Sequence, residues 1–361
     1  MSRPDAGMPK SPAVPGDRAR ARDLGIAPGR LEPGPWNAIT DVPGVLVGQV
    51  TLVEGDATRT GVTAVLPHRG NLYRDKVSGA VHVGNGFGKT AGSIQVNELG
   101  TIETPIVLTN TLSVAAGIAG TIGWTLDQPG NEQVTSVNAL VGETNDGFLN
   151  DIRARYVTED HVVRAIEIAD AGPVAEGSVG AGTGTVAFGW KGGIGTSSRI
   201  IGDHVVGVVV QTNYGGDLRI DGVAIAPQPY LGDATPATSA DGSCMIIIGT
   251  DAPVDAGSLH RIAARGIFAL GRTGSAYSNG SGDIAIAFGT ITRRTGGTVR
   301  ADRPEPGGAE LSGLFEATLD ATEEAVYNSL LAATTVTGFR GTRHAIPLEP
   351  VRRMLDRRHR R

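Results

Sequence analysis

The sequence predicts an α+β fold in which two β-sheets are packed between outer layers of helices. Short segments rich in Val and Ile, separated by turn residues, occur in both halves of the chain and indicate strands. Helical segments also occur in both halves, and no dinucleotide-binding βαβ unit is recognisable. Glycine is abundant, at 53 of 361 residues, and is not periodic, which is typical of tight turns in sheet-rich proteins.

Each strand is predicted where β-branched and other apolar residues run together. The first half contains strands over residues 44–52, 61–66, 80–83, 105–109 and 137–141, and the second half over residues 205–210, 244–248 and 284–288. Helices are predicted over residues 113–126, 160–171, 254–270 and 322–333, with Thr322 capping the last one. No internal repeat is present, so we expect one folded domain over residues 21–350.

Two glycine-rich segments are candidates for close contact with a ligand or with another backbone. Residues 84–90 resemble a phosphate-binding loop, but Val83 stands where that motif needs its first glycine. Lys89 likewise stands where the dinucleotide-binding motif needs its third glycine, so a tight turn is predicted. Residues 177–195 contain eight glycines in nineteen positions and must wrap closely around a backbone or a site.

Composition and charge exclude several classes of partner. The net charge is −5 without a sustained charged block in the body of the chain, which argues against nucleic acid as the main partner. No apolar run approaches the length of a membrane span, so no membrane association is expected. The one cysteine, Cys244, cannot form a disulfide within one chain, which fits a reducing compartment.

The two ends of the chain are predicted to be tails. The first 35 residues hold seven prolines and no hydrophobic core of a signal peptide, which favours a cytoplasmic protein. Residues 1–20 are interpreted as a disordered tail. Residues 351–361 carry six arginines and are interpreted as a solvated basic tail.

The junction between Gly242 and Ser243 is a candidate for self-cleavage. Residues 225–241 form a loose stretch rich in Pro, Ala, Thr and Asp, and an apolar strand begins at Cys244. The hydroxyl of Ser243 could attack the carbonyl carbon of Gly242, because glycine places no side chain in the way. Hydrolysis of the resulting ester would leave Ser243 as an amino terminus carrying both a nucleophile and an amine base.

The dipeptide alone does not distinguish such a site from an ordinary turn. Gly-Ser occurs six times in the chain, at residues 92–93, 177–178, 242–243, 257–258, 274–275 and 280–281. Only the pair at 242–243 joins a polar linker to an apolar strand. That context favours Ser243, with an ordinary loop-to-strand turn as the alternative.

Seven separated segments together carry a resemblance to a known family. They read Thr60-Gly-Val-Thr-Ala-Val65, Glu98-Leu-Gly-Thr-Ile-Glu-Thr-Pro-Ile106, Leu108-Thr-Asn-Thr-Leu112, Gly177-Ser-Val-Gly-Ala-Gly-Thr-Gly184, Lys191-Gly-Gly-Ile-Gly195, Asp241-Gly-Ser-Cys-Met245 and Asn279-Gly-Ser-Gly-Asp283. From about residue 37 to residue 347 the chain resembles the DmpA-like peptidases, the L-aminopeptidase/D-esterase family that includes the β-peptidyl aminopeptidases.

The resemblance implies a four-layer αββα sandwich, like that of N-terminal nucleophile hydrolases but with different connectivity. It implies cleavage into an α chain of residues 1–242 and a β chain of residues 243–361, which stay associated and assemble into a tetramer of such pairs. The implied activity is release of small L-residues, and in some members D- or β-residues, from the amino termini of peptides, amides or esters. No metal or other cofactor is implied.

The resemblance also assigns roles to individual residues. Ser243 aligns with the family nucleophile, and Ser281 with Asp283 align with a Ser and acid pair that manages the proton. Asn213 aligns with an asparagine that helps to hold the oxyanion, with a turn asparagine as the alternative interpretation. Glu143 aligns with the acid that receives the ammonium of the substrate.

Asn145 lies where we expect an aromatic residue in some relatives. The wall of the substrate pocket is therefore predicted to be more polar in this chain. Cys244 is predicted to be a small buried residue rather than a second nucleophile, because neighbours in a strand point to opposite faces.

Two other functions stay open at the level of sequence. A self-processing amino-acid N-acyltransferase, of the ornithine acetyltransferase type, would use the same acyl-enzyme, although those enzymes cut before threonine. A scaffold protein that never cleaves would keep the fold. The histidines show no metal-binding spacing and no recognisable catalytic motif, and they stand at positions 68, 82, 161, 204, 260, 344 and 359.

Overall fold

The computed structural model describes residues 18–227, 242–295, 298–300 and 307–359. Its strands, in chain order, are β1 (Leu46–Glu54), β2 (Thr58–Leu66), β3 (Asp75–Gly86), β4 (Thr90–Ala91), β5 (Thr101–Ile102), β6 (Ile106–Asn110), β7 (Leu140–Thr144), β8 (Val186–Ala187), β9 (Trp190–Lys191), β10 (Gly193–Ile201), β11 (His204–Asn213), β12 (Arg219–Ile220), β13 (Val223–Ala224), β14 (Ser243–Thr250), β15 (Gly282–Thr295), β16 (Thr298–Arg300), β17 (Val336–Gly338) and β18 (Gly341–Arg343). Its α-helices are α1 (Ser93–Leu99), α2 (Val114–Leu126), α3 (Glu159–Glu167), α4 (Ala256–Arg272), α5 (Gly308–Leu331) and α6 (Leu348–His359).

The longer strands form two mixed sheets. The first sheet has the order β1-β2-β6-β7-β4. The second has the order β10-β11-β14-β15-β3-β5, and β16 pairs with β15. β14 lies inside the second sheet, antiparallel to β11 and parallel to β15. It therefore has a hydrogen-bonded neighbour along each side.

The buried apolar clusters show that these elements form four layers. Leu108 of the first sheet and Met245 of the second belong to one cluster between the two sheets. The opposite face of the second sheet, including Ile246, packs against α4 and α5. The opposite face of the first sheet packs against α2 and α3. The predicted αββα sandwich is confirmed.

The residues of β14 alternate between these layers, as strand geometry requires. Met245 and Ile247 lie between the two sheets, whereas Cys244, Ile246 and Ile248 face the helices. Because both faces are buried, the strand is apolar at nearly every position. Cys244 has no exposed surface, which confirms its prediction as a buried residue. Burial raises the pKa of its thiol well above the usual range.

Two helices differ from their predicted bounds. α5 begins at Gly308 rather than at Thr322, and Thr322 is buried in its interior instead of capping it. α3 ends at Glu167 rather than at residue 171. α4 starts close to its predicted position because the side chain of Asp255 accepts a hydrogen bond of 2.7 Å from the backbone N–H of Ser258.

The predicted tails are only partly described. Residues 1–17 of the first tail, residues 228–241 of the predicted linker and residues 360–361 lie outside the described residues. Arg20 is buried and donates a hydrogen bond of 2.7 Å to the backbone carbonyl of Asn37, so residue 20 is part of the folded domain rather than of a tail.

The prediction of a solvated tail from residue 351 is wrong for the described part. Val351 and Leu355 are buried on one face of α6, at the i, i+4 spacing that places them side by side. Their burial against the core outweighs the many arginines nearby. Within the described ranges, no helix is both long enough and apolar enough to span a membrane.

Candidate active site

A cavity of about 840 Å³ opens where β14 begins. Its described lining residues come from segments that are distant in the sequence. They are Gly86, Phe87, Gly88, Lys89, Thr111, Glu143, Asn145, Gly147, Phe148, Ile152, Val186, Phe188, Gly189, Asn213, Tyr214, Gly215, Gly242, Ser243, Gly280, Arg340 and Arg343. Five of the predicted site residues are therefore gathered around one space.

Ser243 occupies the first position of β14 and lines this cavity. It is 5% exposed, so its hydroxyl is held in a largely desolvated environment. On β11 its direct antiparallel partner is Asn213. Side chains of directly paired residues lie on the same face of a sheet, so the Ser243 hydroxyl and the Asn213 amide are neighbours.

A hydrogen bond to the side-chain oxygen of Asn213 fixes the orientation of its amide group. Its Oδ1 accepts a hydrogen bond of 2.9 Å from the backbone N–H of Val186. A backbone N–H can only donate, so the amide nitrogen is the end left to serve as a donor. A fixed amide donor beside a serine hydroxyl is an arrangement that can stabilise negative charge on an attacked carbonyl oxygen.

The backbone around the Gly242–Ser243 bond is tightly enclosed. The carbonyl oxygen of Gly242 accepts a hydrogen bond of 2.9 Å from the N–H of Gly282. A Cβ atom on Gly242 would lie 2.1 Å from the carbonyl oxygen of Asn213, and one on Gly282 would lie 2.6 Å from that of Phe87. Both positions therefore require glycine, and the Gly282 amide is placed to polarise the carbonyl that self-cleavage would attack.

Ser281 and Asp283 lie together but outside the cavity lining. The Ser281 hydroxyl donates a hydrogen bond of 2.9 Å to Oδ2 of Asp283. Asp283 pairs with Cys244 across β14 and β15, so its side chain lies on the face of the sheet opposite that of Ser243. The structure thus places the pair beside the strand of Ser243, and the predicted role in proton transfer stays a prediction.

The carboxyl of Asp283 has an unusual environment. It has no exposed surface, and its Oδ1 has no hydrogen-bond partner in the part of the chain that the structure describes. Burial raises its pKa to about 6, against the opposing effect of the Ser281 hydrogen bond. This carboxyl therefore titrates near neutral pH, where proton transfer is most useful.

Glu143 lies at the end of β7 and is 4% exposed, so it is not a surface acid. Its Oε1 accepts a hydrogen bond of 3.0 Å from the backbone N–H of Lys89 and is 3.5 Å from the Lys89 ammonium. Its Oε2 accepts a hydrogen bond from the hydroxyl of Thr111. The carboxylate is thus preorganised beside an ammonium group, which is the chemistry that binding of a peptide amino terminus requires.

Asn145 lies on the exposed rim of the cavity. Its Oδ1 accepts a hydrogen bond of 2.9 Å from the N–H of Gly147, which stabilises the turn after β7. Its position agrees with a pocket wall, and its role in substrate binding stays a prediction.

Sequence analysis did not identify several residues of the cavity. Lys89 and Thr111 contact Glu143, and Arg343 lines another part of the cavity wall. A signal was present for Lys89, since it lies within the glycine-rich segment at 84–90. No histidine is among the described lining residues.

The second glycine-rich segment contacts both other backbones and the cavity. A Cβ atom on Gly192 would lie 2.5 Å from the carbonyl oxygen of Thr212, so the chain passes directly over β11. Val186, Phe188 and Gly189 of the same segment line the cavity. The predicted close wrapping is confirmed.

Comparisons with known proteins agree with this geometry. The sequence model of peptidase family S58 matches residues 37–344. The chain belongs to peptidase family S58. It is 40% identical to the β-peptidyl aminopeptidase BapA of Sphingosinicella microcystinivorans, over 98% of this chain and 96% of that protein.

Solved structures of S58-like proteins have the same fold. A β-aminopeptidase from Burkholderia sp. is 37% identical with a TM-score of 0.82, covering 94% of this chain and 98% of that one. The L-aminopeptidase D-Ala-esterase/amidase of Ochrobactrum anthropi is 34% identical with a TM-score of 0.86, covering 94% and 99%. The latter is described as a prototype of the serine aminopeptidases and a new variant of the Ntn hydrolase fold.

The resemblance to the DmpA-like peptidases is therefore confirmed, and this S58 chain is an aminopeptidase of the serine type. The relatives do not favour the N-acyltransferase alternative.

Proposed function

We propose that this S58 chain cuts itself between Gly242 and Ser243 and that Ser243 is then the nucleophile for releasing small amino-terminal residues from short peptides, amides and esters. One observation carries the proposal. Ser243 begins a buried strand at the wall of a cavity that also contains Asn213 and Glu143. Nucleophile, oxyanion donor and ammonium acceptor are thus available to one bound substrate.

In the first step, Oγ of Ser243 attacks the carbonyl carbon of Gly242. The Gly282 N–H stabilises the negative charge that develops on the carbonyl oxygen. The C–N bond then breaks, the Ser243 nitrogen takes up a proton, and an ester joins Gly242 to the serine oxygen. Water hydrolyses the ester, leaving a carboxylate on Gly242 and a free amine on Ser243.

In the mature enzyme, the Ser243 amine accepts the hydroxyl proton as Oγ attacks the substrate carbonyl. The amide nitrogen of Asn213 holds the oxyanion. The Ser243 ammonium passes this proton to the leaving amine, and the Ser281 and Asp283 pair beside the strand stabilises the positive charge on the ammonium. Water then hydrolyses the acyl-enzyme and regenerates the serine hydroxyl.

Glu143 selects substrates that carry a free amino terminus. Its buried carboxylate binds the substrate ammonium, which joins or displaces the half-exposed ammonium of Lys89. Because BapA-type relatives are named as β-peptidyl aminopeptidases, we include β-residues among the amino-terminal residues released.

The two chains are proposed to remain together after cleavage. β14 of the new β chain pairs with β11 of the α chain over eight positions, from Val206 with Thr250 to Asn213 with Ser243. Separating the chains would expose the core on both faces of β14. A tetramer of such pairs and a cytoplasmic location stay predictions.

The decisive experiment is an intact mass spectrum of the purified protein under denaturing conditions. We expect two chains divided between Gly242 and Ser243, and one uncut, inactive chain for Ser243→Ala. Ser258→Ala, at the Gly-Ser pair that begins α4, is the matched control and should be cut normally. A single chain for the natural sequence, or cleavage of Ser243→Ala, would refute self-processing at this bond.

A further inference from the structure

Arg343 is a buried cation in the cavity wall, and within the described ranges no salt bridge balances its charge. It is the last residue of strand β18, lines the cavity and is 6% exposed. Its guanidinium carbon lies 3.5 Å from the centre of the Phe148 ring, so the flat face of the group is stacked. The Nε and Nη1 atoms are buried and have no hydrogen-bond partner among the residues that the structure describes.

The other charges of the cavity do not compensate Arg343. Among the described lining residues, Glu143 is the one acidic side chain, and its carboxylate contacts Lys89. Arg340 adds a further positive charge on the exposed side of the same wall. The described lining residues therefore carry more positive than negative charge.

The guanidinium remains charged at neutral pH. Burial lowers the pKa of Arg343 to about 10, which still lies well above neutrality. Leaving a buried cation with unsatisfied N–H groups is unfavourable, and a bound anion would remove that penalty. Arginine is the residue best suited to bind a carboxylate, because several N–H donors of its guanidinium lie in one plane.

We infer that Arg343 binds a carboxylate of the substrate, so that the preferred substrates are short peptides carrying both a free ammonium and a free carboxylate. This inference rests on the proposed function. Glu143 would hold the positive end of such a peptide and Arg343 the negative group. The carboxylate can come from the carboxyl terminus of a dipeptide or tripeptide, or from an acidic side chain.

Three substrates with the same amino-terminal residue separate these possibilities. They are β-alanyl-alanine, β-alanyl-alanine amide and β-alanyl-aspartate amide. We expect kcat/KM of the wild-type enzyme to be about 10- to 100-fold higher for a carboxylate-bearing peptide than for the neutral amide, as for a hydrogen bond between charged partners. Preference for the first peptide identifies the terminal carboxylate, and preference for the third identifies the side chain.

Arg343→Gln should abolish this preference through a rise in KM for the carboxylate peptides, while turnover of the neutral amide continues. Arg343→Lys keeps the positive charge and should retain part of the preference for carboxylate peptides. It also provides the test of Arg343 if the glutamine variant fails to fold. Arg353→Gln, an exposed arginine of α6 paired with Glu349, is the matched control. Self-cleavage, read by mass spectrometry, reports folding of each variant.

A wild-type ratio near one, or a preference that survives in both Arg343 variants, would overturn the inference. Either result could occur while the neutral amide is still hydrolysed, and the proposed function would then stand. Failure of the wild-type enzyme to hydrolyse any of the three peptides would instead count against the proposed function.

Discussion

Asp283→Asn should stabilise the fold at neutral pH while it impairs the proposed proton transfer. The carboxyl of Asp283 is fully buried, and burial raises its pKa from 3.8 to about 6. A rise of about two pK units corresponds to about 3 kcal/mol of free energy, at 1.36 kcal/mol for each unit. An uncharged amide of the same shape avoids that penalty.

The sign of the pH dependence follows from the direction of the shift. Below pH 3.8 the carboxyl is protonated in both the folded and the unfolded state, and it makes no pH-dependent contribution. As the pH rises towards 6, the unfolded state ionises first, so the free energy of unfolding falls. Above the folded pKa the loss is complete, and the advantage of Asp283→Asn reaches about 3 kcal/mol.

Urea unfolding in the Ser243→Ala background measures this effect on a single uncut chain. The difference in unfolding free energy between Asp283→Asn and its parent should be small near pH 4 and large near pH 8. Asp56→Asn, in the exposed turn between β1 and β2, is the control and should show no comparable gain. Equal differences at the two pH values would show that the Asp283 carboxyl is not held in an environment that disfavours its charge.

Three further substitutions test the site itself. Gly242→Ala should slow self-cleavage strongly, because the new Cβ would lie 2.1 Å from the carbonyl oxygen of Asn213; the measurement is the uncut fraction by mass spectrometry. Asn213→Ala should lower kcat by about 10²- to 10³-fold through loss of an oxyanion donor, measured on the cleaved fraction and with little change in KM. Glu143→Gln should abolish the preference for a free amine, measured as the ratio of kcat/KM for a peptide with and without its amino group.

For each of these three substitutions, one result would contradict the prediction. Rapid cleavage of Gly242→Ala would mean that the backbone at this bond is not closely packed before the cut. An unchanged kcat for Asn213→Ala would remove that side chain from oxyanion binding. A retained amine preference in Glu143→Gln would move ammonium recognition to another group.

The central strands were predictable because a strand that is buried on both faces is apolar at consecutive positions. β14 is buried on both faces, so residues 244–248 form an apolar run that stands out from the linker before it. The first half of α5 lacks such a local signal, since Gly308 and Gly313 lower its helix propensity. Packing of Leu314 and the following turns against the core stabilises it instead, and this is a tertiary effect.

The site was predictable only in part for a similar reason. The change from linker to strand marks Ser243 within a few residues. Asn213 and Glu143 were identified through resemblance, because a turn asparagine or a strand-end acid has no distinctive local pattern. Arg343 is separated from Glu143 by 200 residues in the chain, and only the fold places both in one cavity.

The pairing of β14 with a strand on each side affects how easily the proposed amino terminus at Ser243 can be removed by proteolysis. In the proposed cleaved form, Ser243 is a free amino terminus located inside a site that removes amino-terminal residues. A terminal residue must leave its strand before another active site can reach it, and Ser243 is paired with both Asn213 and Gly282. The ladder that positions the nucleophile therefore also protects it from being trimmed by neighbouring copies of the same exopeptidase.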